Sequence, residues 1–267
     1  MNDPLTLLSV LDLQAMKQAG EKITCLTAYD ASFSALIDAV GIDIILVGDS
    51  AGMVIQGQPS TLSATLDDMV YHTRCVTRAR KHAFVIADLP FMTYSTPQFA
   101  AENAARLMRE AGAQMVKFEG AHIETVHFLV AQGIPVCGHL GVLPQSVNVV
   151  GSYKVRGRTT TDAELIIEQA LALQHAGIGL LVVECIPAVL AKQLSQLLDI
   201  PVIGIGAGVD CDGQILVSYD MLNITRNKHP RFVKDFMHGA GSIEAAIRAY
   251  KIAVKQAEFP APEHSYL

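Results

Sequence analysis

The fold class this sequence predicts is α/β, a (β/α)8 TIM barrel with an N-terminal capping helix, and three observations carry it. Short apolar runs alternate with helix-forming segments along the whole chain, which is how strands buried on both faces of a parallel sheet read. Five of those runs lead into a titratable side chain: Ile44-Ile45-Leu46-Val47-Gly48 into Asp49, Phe84-Val85-Ile86-Ala87 into Asp88, Met115-Val116-Lys117-Phe118 into Glu119, Pro135-Val136-Cys137-Gly138 into His139, and Leu180-Leu181-Val182-Val183 into Glu184. The length, 267 residues, suits one such barrel with its own core, so a single domain over 1–267 is expected. A doubly wound open sheet is the rival architecture, but it does not readily use the eight strands counted here.

In chain order, Leu5, Leu8, Leu11 or Leu13, and Met16 recur at helical spacing over 5–19, and Gly20 closes the pattern. With no strand before it, this helix is expected to cap the barrel bottom. The first strand, 23–28, ends at Tyr29-Asp30, and a helix over 32–40 stopped by Gly41 leads to the second, which ends at Asp49-Ser50. The Gly-, Ser- and Thr-rich stretch 52–65 reads as a working loop. A helix over 66–79 precedes the third strand, and Pro90 after Asp88 cannot continue a ladder. Thr96-Pro97 opens a helix that runs to Glu110 and stops at Gly112. The fourth strand, 114–120, follows, and its two-residue spacing puts Lys117 and Glu119 on one face.

A helix over 122–132 returns the chain to the fifth strand and His139. Residues 143–161 show no helical pattern, which marks a lid or substrate-contacting loop. Next come a helix over 162–177, a sixth strand over 179–186, a helix opened by Pro187 and a seventh strand over 201–205. The eighth strand, 214–217, is reached by a connection too short for a full helix. Helices around 230–238 and 242–257 close the fold, and 260–267 reads as irregular.

Composition narrows the function. Hydrophobic residues make up 51% and charged ones 17%, more apolar than one soluble subunit needs, so a homo-oligomer is expected. Twenty Lys+Arg stand against 26 Asp+Glu, for a net charge of -6, with no basic block. That excludes nucleic acid and an anionic membrane surface as expected partners and leaves a small molecule. Cys25, Cys75, Cys137, Cys185 and Cys211 are odd in number and contain no C-x-x-C pair, the usage of reduced core cysteines. Met1-Asn2-Asp3-Pro4 has no positive n-region, and no apolar run reaches the roughly 18 residues of a span, so the expected setting is cytoplasmic. Gly204-x-Gly206-x-Gly208 has Val209 where a dinucleotide loop needs its third glycine, so no nucleotide cofactor is expected. His72, His82 and His122 are assigned to helices as surface or packing residues.

The rim of a parallel barrel gathers all strand C-termini, so Asp49, Asp88, Glu119, His139 and Glu184 should converge. Three carboxylates on neighbouring strands repel one another unless a cation sits between them, and an all-oxygen set favours a hard ion such as Mg2+. Each aspartate has a second reading, as a cap on the following helix. Glu184, inside Leu-Val-Val-Glu-Cys-Ile, reads either as a carboxylate paired with a buried base or, because burial raises a carboxylate pKa, as a proton-transfer group. Lys117 reads either as the ion-pair partner of Asp88 or Glu119 or as the cation that receives a substrate carboxylate. His139 reads as catalytic or as a core histidine.

An ordered set of motifs then carries a family resemblance over nearly the whole chain. Thr27-Ala28-Tyr29-Asp30, Val47-Gly48-Asp49-Ser50, Ala87-Asp88-Leu89-Pro90-Phe91, Val116-Lys117-Phe118-Glu119-Gly120, Cys137-Gly138-His139-Leu140-Gly141, Tyr153-Lys154-Val155, Glu184-Cys185-Ile186-Pro187 and the run 203–208 together resemble the ketopantoate hydroxymethyltransferases. The resemblance implies transfer of a one-carbon unit from 5,10-methylenetetrahydrofolate to 3-methyl-2-oxobutanoate, through a Mg2+-stabilised enolate, to give 2-dehydropantoate for pantothenate synthesis. It implies Asp49, Asp88 and Glu119 as the metal set, Ser50, Asp88 and Lys117 as keto-acid contacts, and Glu184 as the proton acceptor. Asp49 and His139, from the same rim, join the substrate contacts. It also implies a large homo-oligomer, commonly a decamer. Three positions depart from the pattern: Ser152 and Asn223 stand where glycine is usual, and Tyr219 where histidine is. A Mg2+-dependent keto-acid lyase or mutase of the phosphoenolpyruvate/pyruvate barrel type is the alternative, and it would not need folate.

Overall fold

The structure, a computed structural model, describes residues 7–151, 154–226 and 229–267. Its strands are β1 (Ile23–Thr27), β2 (Ile44–Val47), β3 (Phe84–Asp88), β4 (Met115–Lys117), β5 (Val136–Gly141), β6 (Leu180–Glu184), β7 (Val202–Ile205) and β8 (Gly213–Leu216). They pair in sequence order, all parallel, and β8 closes on β1 through Thr24 opposite Gln214. This is the (β/α)8 barrel that the alternation predicts, with the eighth strand where the weakest part of the pattern placed it.

Period-2 alternation sorts the strand residues. Ile44, Phe84, Met115, Cys137, Leu180 and Ile203 pack together inside the barrel, whereas Ile45, Val85, Val116, Leu181 and Val202 join the larger core under the helices. Counting by twos from the inward set reaches Asp88, Lys117, Glu119, His139 and Glu184 at the C-terminal end, so core pattern and site are one register.

The helices are α1 (Val10–Gln18), α2 (Ala31–Val40), α3 (Ala51–Val54), α4 (Leu66–Ala79), α5 (Pro97–Arg109), α6 (Ile123–Ala131), α7 (Val147–Val150), α8 (Thr160–Ala176), α9 (Ala188–Leu197), α10 (Ser218–Met221) and α11 (Ile243–Lys255). The first begins later than its periodicity predicts, because Ser9 and Asp12 form a capping box that fixes its start. Leu13 of α1 packs with Ile23, Ile44 and Phe84, and Lys17 reaches Ser195 O, Ile200 O and Asp212. No helix among the described residues is long and apolar enough to cross a membrane.

Several expectations need correction. Residues 143–161 contain a one-turn 3-10 helix, Pro144–Ser146, followed by α7, rather than no helix. The helix expected around 230–238 is absent, because Asp235 turns its carboxylate onto the N–H groups of Met237 and His238, a local bond that competes with helix. Strand β4 ends at Lys117, which leaves Glu119 on the loop beyond it. His82 lies in the bend after α4, and His122 is the residue before α6, ringed by Tyr94 and Phe118. The tail carries a short turn, Pro262–His264.

Of the three departures, Ser152 lies outside the described residues, as does Tyr153 of the quoted motif. Asn223 has φ 55, a left-handed backbone that glycine favours and asparagine tolerates best among other residues. Its Nδ2 donates to Asp235 at 3.0 Å. Tyr219 stacks on Phe33 and meets the Tyr29 ring edge-on.

Candidate active site

A cavity of about 440 Å3 opens at the C-terminal end of the barrel, and Asp49, Ser50, Asp88, Lys117, Glu119, His139 and Glu184 all line it. The convergence expected from five separate strands is therefore present. Asp88 is the last residue of β3, and its register partner across the ladder is Lys117. Their side chains form an ion pair at 2.7 Å, with both groups buried. Lys117 thus meets the first of its two readings while still facing the cavity. His139 lies within β5 rather than at its end, one layer deeper than expected.

Asp49 reaches the cavity differently. Continuing the β2 register would point Gly48 inward, and the chain turns there. A Cβ on Gly48 would lie 2.7 Å from Ser50 Oγ, so a larger residue here would displace the serine hydroxyl from its place. The turn sends the Asp49 N–H to Asp88 Oδ2 at 3.1 Å and sets Ser50 Oγ 2.8 Å from the Tyr29 hydroxyl. None of the three acids caps a helix. The cap before α5 is Thr96, and the residue before α3 is Ser50 with no side-chain cap bond. The cap reading fails for all of them.

Burial makes this cluster electrostatically tense. Desolvation first, and then the neighbouring Asp88 charge, push Asp49 up to about 7, against relief from Lys117 and Gln145. Desolvation followed by Asp49 push Glu119 up to about 9. Burial works against a charged Lys117, but Asp88, Asp49 and Glu119 outweigh it and hold the ammonium protonated. His139 is pushed down by burial and by Lys117, which keeps the imidazole neutral. Its Nε2 lies 3.3 Å from Glu184 Oε2 and its Nδ1 lies 3.8 Å from Glu119 Oε1.

At β6 the chain turns sharply into the next loop. Cys185 has φ 50, and a Cβ on Gly141, at φ 98, would strike the Glu184 carbonyl. The Cys185 carbonyl then accepts from Arg156 N, whose guanidinium forks onto Asp162 at the start of α8. The loop after β5 is thereby pinned beside Glu184. All five cysteines are free, and Cys25 and Cys137 are core strand residues as expected.

Two groups of cavity residues escaped the sequence reading. Phe232 and Tyr266 also line the cavity, and Tyr266 is held by Ala188 N donating to its carbonyl at 3.0 Å. Tyr266 comes from the tail expected to be irregular and Phe232 from a stretch expected as helix, so no pattern marks either as a cavity residue. Gln145 is buried and bonds to Asp49 and Glu119. As an uncharged residue it carries no sequence signal beyond following Pro144 in the long loop.

A carboxylate cluster with one lysine, a neutral imidazole and a second carboxylate across a closed-bottom cavity is equipped to bind a small oxyacid and to move a proton. Similarity narrows this further. The family model for ketopantoate hydroxymethyltransferase matches residues 8–262. A 3-methyl-2-oxobutanoate hydroxymethyltransferase of Nitrosococcus oceani is 56% identical over 97% of this chain and 99% of its own. Another, of Idiomarina loihiensis, is 56% identical over 97% of both chains. Among solved structures, phosphonopyruvate hydrolase in complex with oxalate and Mg++ superposes with a TM-score of 0.60, at 12% identity, over 96% of this chain and 92% of that one, a likeness of fold. With the family model spanning almost the whole barrel and relatives above half identity end to end, the chain belongs to the ketopantoate hydroxymethyltransferase family.

Proposed function

We propose that this enzyme transfers a hydroxymethyl group from 5,10-methylenetetrahydrofolate to 3-methyl-2-oxobutanoate, forming 2-dehydropantoate. The observation that carries the reading is the placing of Glu184 across one cavity from Asp49, Asp88 and Lys117 in a chain of this family.

A divalent cation fits the site. Asp49 and Glu119 are pushed far above ordinary carboxylates by burial and mutual repulsion, and Lys117 supplies a single positive charge for three acids. The three carboxylates offer oxygen ligands, the chemistry of Mg2+. Asp49, Asp88 and Glu119 would hold it. Among the described residues no three acidic, histidine or cysteine side chains are arranged to hold an ion by themselves; Mg2+ usually takes waters and substrate oxygens alongside one or two carboxylates. When bound, the cation supplies Lewis acidity that polarises the keto group.

The chain's own residues do the rest. Ser50 and Lys117 receive the keto-acid carboxylate, with Asp88 holding the ammonium in place through their ion pair. Asp49 and His139 complete the wall against which the substrate lies. Glu184 takes the proton from C3 of the keto acid, and His139 steadies the Glu184 carboxylate through their 3.3 Å contact. The C3 carbon so activated bonds to the methylene carbon, both carbon–nitrogen bonds of that carbon break, one water supplies the hydroxyl, and tetrahydrofolate leaves with both nitrogens protonated. Met53, Thr61 and Pro144, with Phe232 and Tyr266, line the cavity and limit access of bulk solvent during that step.

The free cysteines support a reducing, cytoplasmic setting, and the exposed apolar side chains support a homo-oligomer, a decamer by family resemblance. Formation of 2-dehydropantoate is the test. Product should appear from 3-methyl-2-oxobutanoate only when 5,10-methylenetetrahydrofolate is supplied. Turnover of a keto acid without any folate would favour the lyase or mutase chemistry instead.

A further inference from the structure

One buried residue ties the loop after β5 to the ends of three other strands. Gln145, 6% exposed, donates from Nε2 to Asp49 Oδ2 at 2.7 Å and to Leu89 O at 3.2 Å. Its backbone N–H donates to Glu119 Oε2 at 2.9 Å, and its Oε1 accepts from the Tyr94 hydroxyl at 2.5 Å. Asp49 follows β2, Leu89 follows β3 and Glu119 follows β4.

The surroundings settle which way the amide points. Leu89 offers only a carbonyl oxygen, which cannot donate, so the NH2 must face Leu89 and Asp49. Oε1 then faces Tyr94, whose hydroxyl can donate. Every polar atom of the amide is satisfied, which is the condition for a buried polar network to hold one geometry. Among the described residues Asp49 and Glu119 each accept hydrogen bonds through one carboxylate oxygen, and Glu119 Oε1 lies 3.8 Å from His139 Nδ1, beyond hydrogen-bond reach.

We infer that Gln145 is a positioning residue for the cation site: it holds Asp49 and Glu119 by one oxygen each and leaves the other oxygen of each for a divalent cation. Tyr94 holds Gln145 in turn. Partners behind metal ligands set ligand orientation, and their loss weakens metal binding by about 10- to 100-fold. This inference rests on the metal-dependent reading above. It also makes the loop over the mouth part of the metal site, because the residue that orients the ligands is carried by that loop.

The test is direct Mn2+ binding to the full-length protein, followed by the paramagnetic resonance signal of the free ion, in wild type, Gln145→Met and Tyr94→Phe. Methionine keeps the length and volume of the side chain and leaves the backbone N–H to Glu119 intact, so the variant removes the amide bonds alone. The Mn2+ dissociation constant should rise about 10- to 100-fold in Gln145→Met and by a smaller factor in Tyr94→Phe. Thermal unfolding reports whether each variant is folded, and the isosteric Tyr94→Phe keeps the test open if Gln145→Met is not. A lower melting temperature with wild-type Mn2+ affinity would make Gln145 a structural residue only and overturn the inference. Absence of Mn2+ binding by wild type would overturn the metal reading itself, and the role of Gln145 with it. That failure is visible before any variant is compared.

Discussion

His139 stands between the two halves of the site, with Nε2 3.3 Å from Glu184 Oε2 and Nδ1 3.8 Å from Glu119 Oε1. The acid cluster and Glu184 are therefore separated by a single neutral imidazole, whose charge is suppressed by burial and by Lys117.

That placement gives His139 a role that substitution can expose. In His139→Ala the Glu184 carboxylate loses its neighbour at 3.3 Å, and misplacement of a reacting group on this scale costs up to about 100-fold in rate. Turnover number should fall by about 10- to 100-fold while Mn2+ affinity stays near wild type. Steady-state kinetics beside a metal titration decides this. A loss of metal binding instead would make His139 a ligand or a prop for Glu119.

Metal removal should abolish activity. Excess chelator is expected to stop product formation, Mg2+ to restore it, and Asp88→Asn to weaken the cation sharply, since that change also unbalances Lys117. Full activity in excess chelator contradicts the assignment of Asp49, Asp88 and Glu119.

Lys117→Met leaves Asp88 buried without its cation among two further acids. Breaking a buried pair in this way costs about 3–5 kcal/mol, read as a lower midpoint in urea unfolding. Mg2+ should return part of that stability by supplying the missing charge, and KM for the keto acid should rise. Unchanged stability in the metal-free variant would show that solvent already screens the pair.

Assembly is the fourth expectation. Val189 is 80% exposed and Leu11 75%, with Tyr71 and Ile252 also on the helical shell, so part of that shell should be covered by further subunits. Light scattering at micromolar concentration should give a mass far above the 28.7 kDa of one chain. A clean monomer contradicts it.

The barrel was legible because continuous apolar runs buried on both faces are local signals readable in each strand by itself, and because even counting from Phe84, Met115 and Leu180 reaches Asp88, Glu119 and Glu184 directly. Asp49 was legible as a charge at a strand end, although it gains the cavity only through the turn at Gly48. The missing pieces share a physical cause. Gln145 is uncharged and lies in a loop, so its function resides in bonds between chain-distant groups that no periodicity encodes. Phe232 and Tyr266 belong to segments organised by local side-chain bonds, such as those of Asp235, rather than by helix or strand period. The helix expected over 230–238 fails for the same reason.

The base assignment is the most consequential step, and hydrogen exchange at C3 of 3-methyl-2-oxobutanoate in deuterated water tests it without folate or carbon–carbon bond formation. Wild type with Mg2+ should exchange that hydrogen, because proton removal precedes attack. Glu184→Gln preserves volume and hydrogen bonding, so it should still bind the keto acid and Mn2+ while exchange slows by about 100-fold or more. Near-normal exchange in the variant, with binding intact, would contradict Glu184 as the base and move the role to His139 or to a water in the cavity.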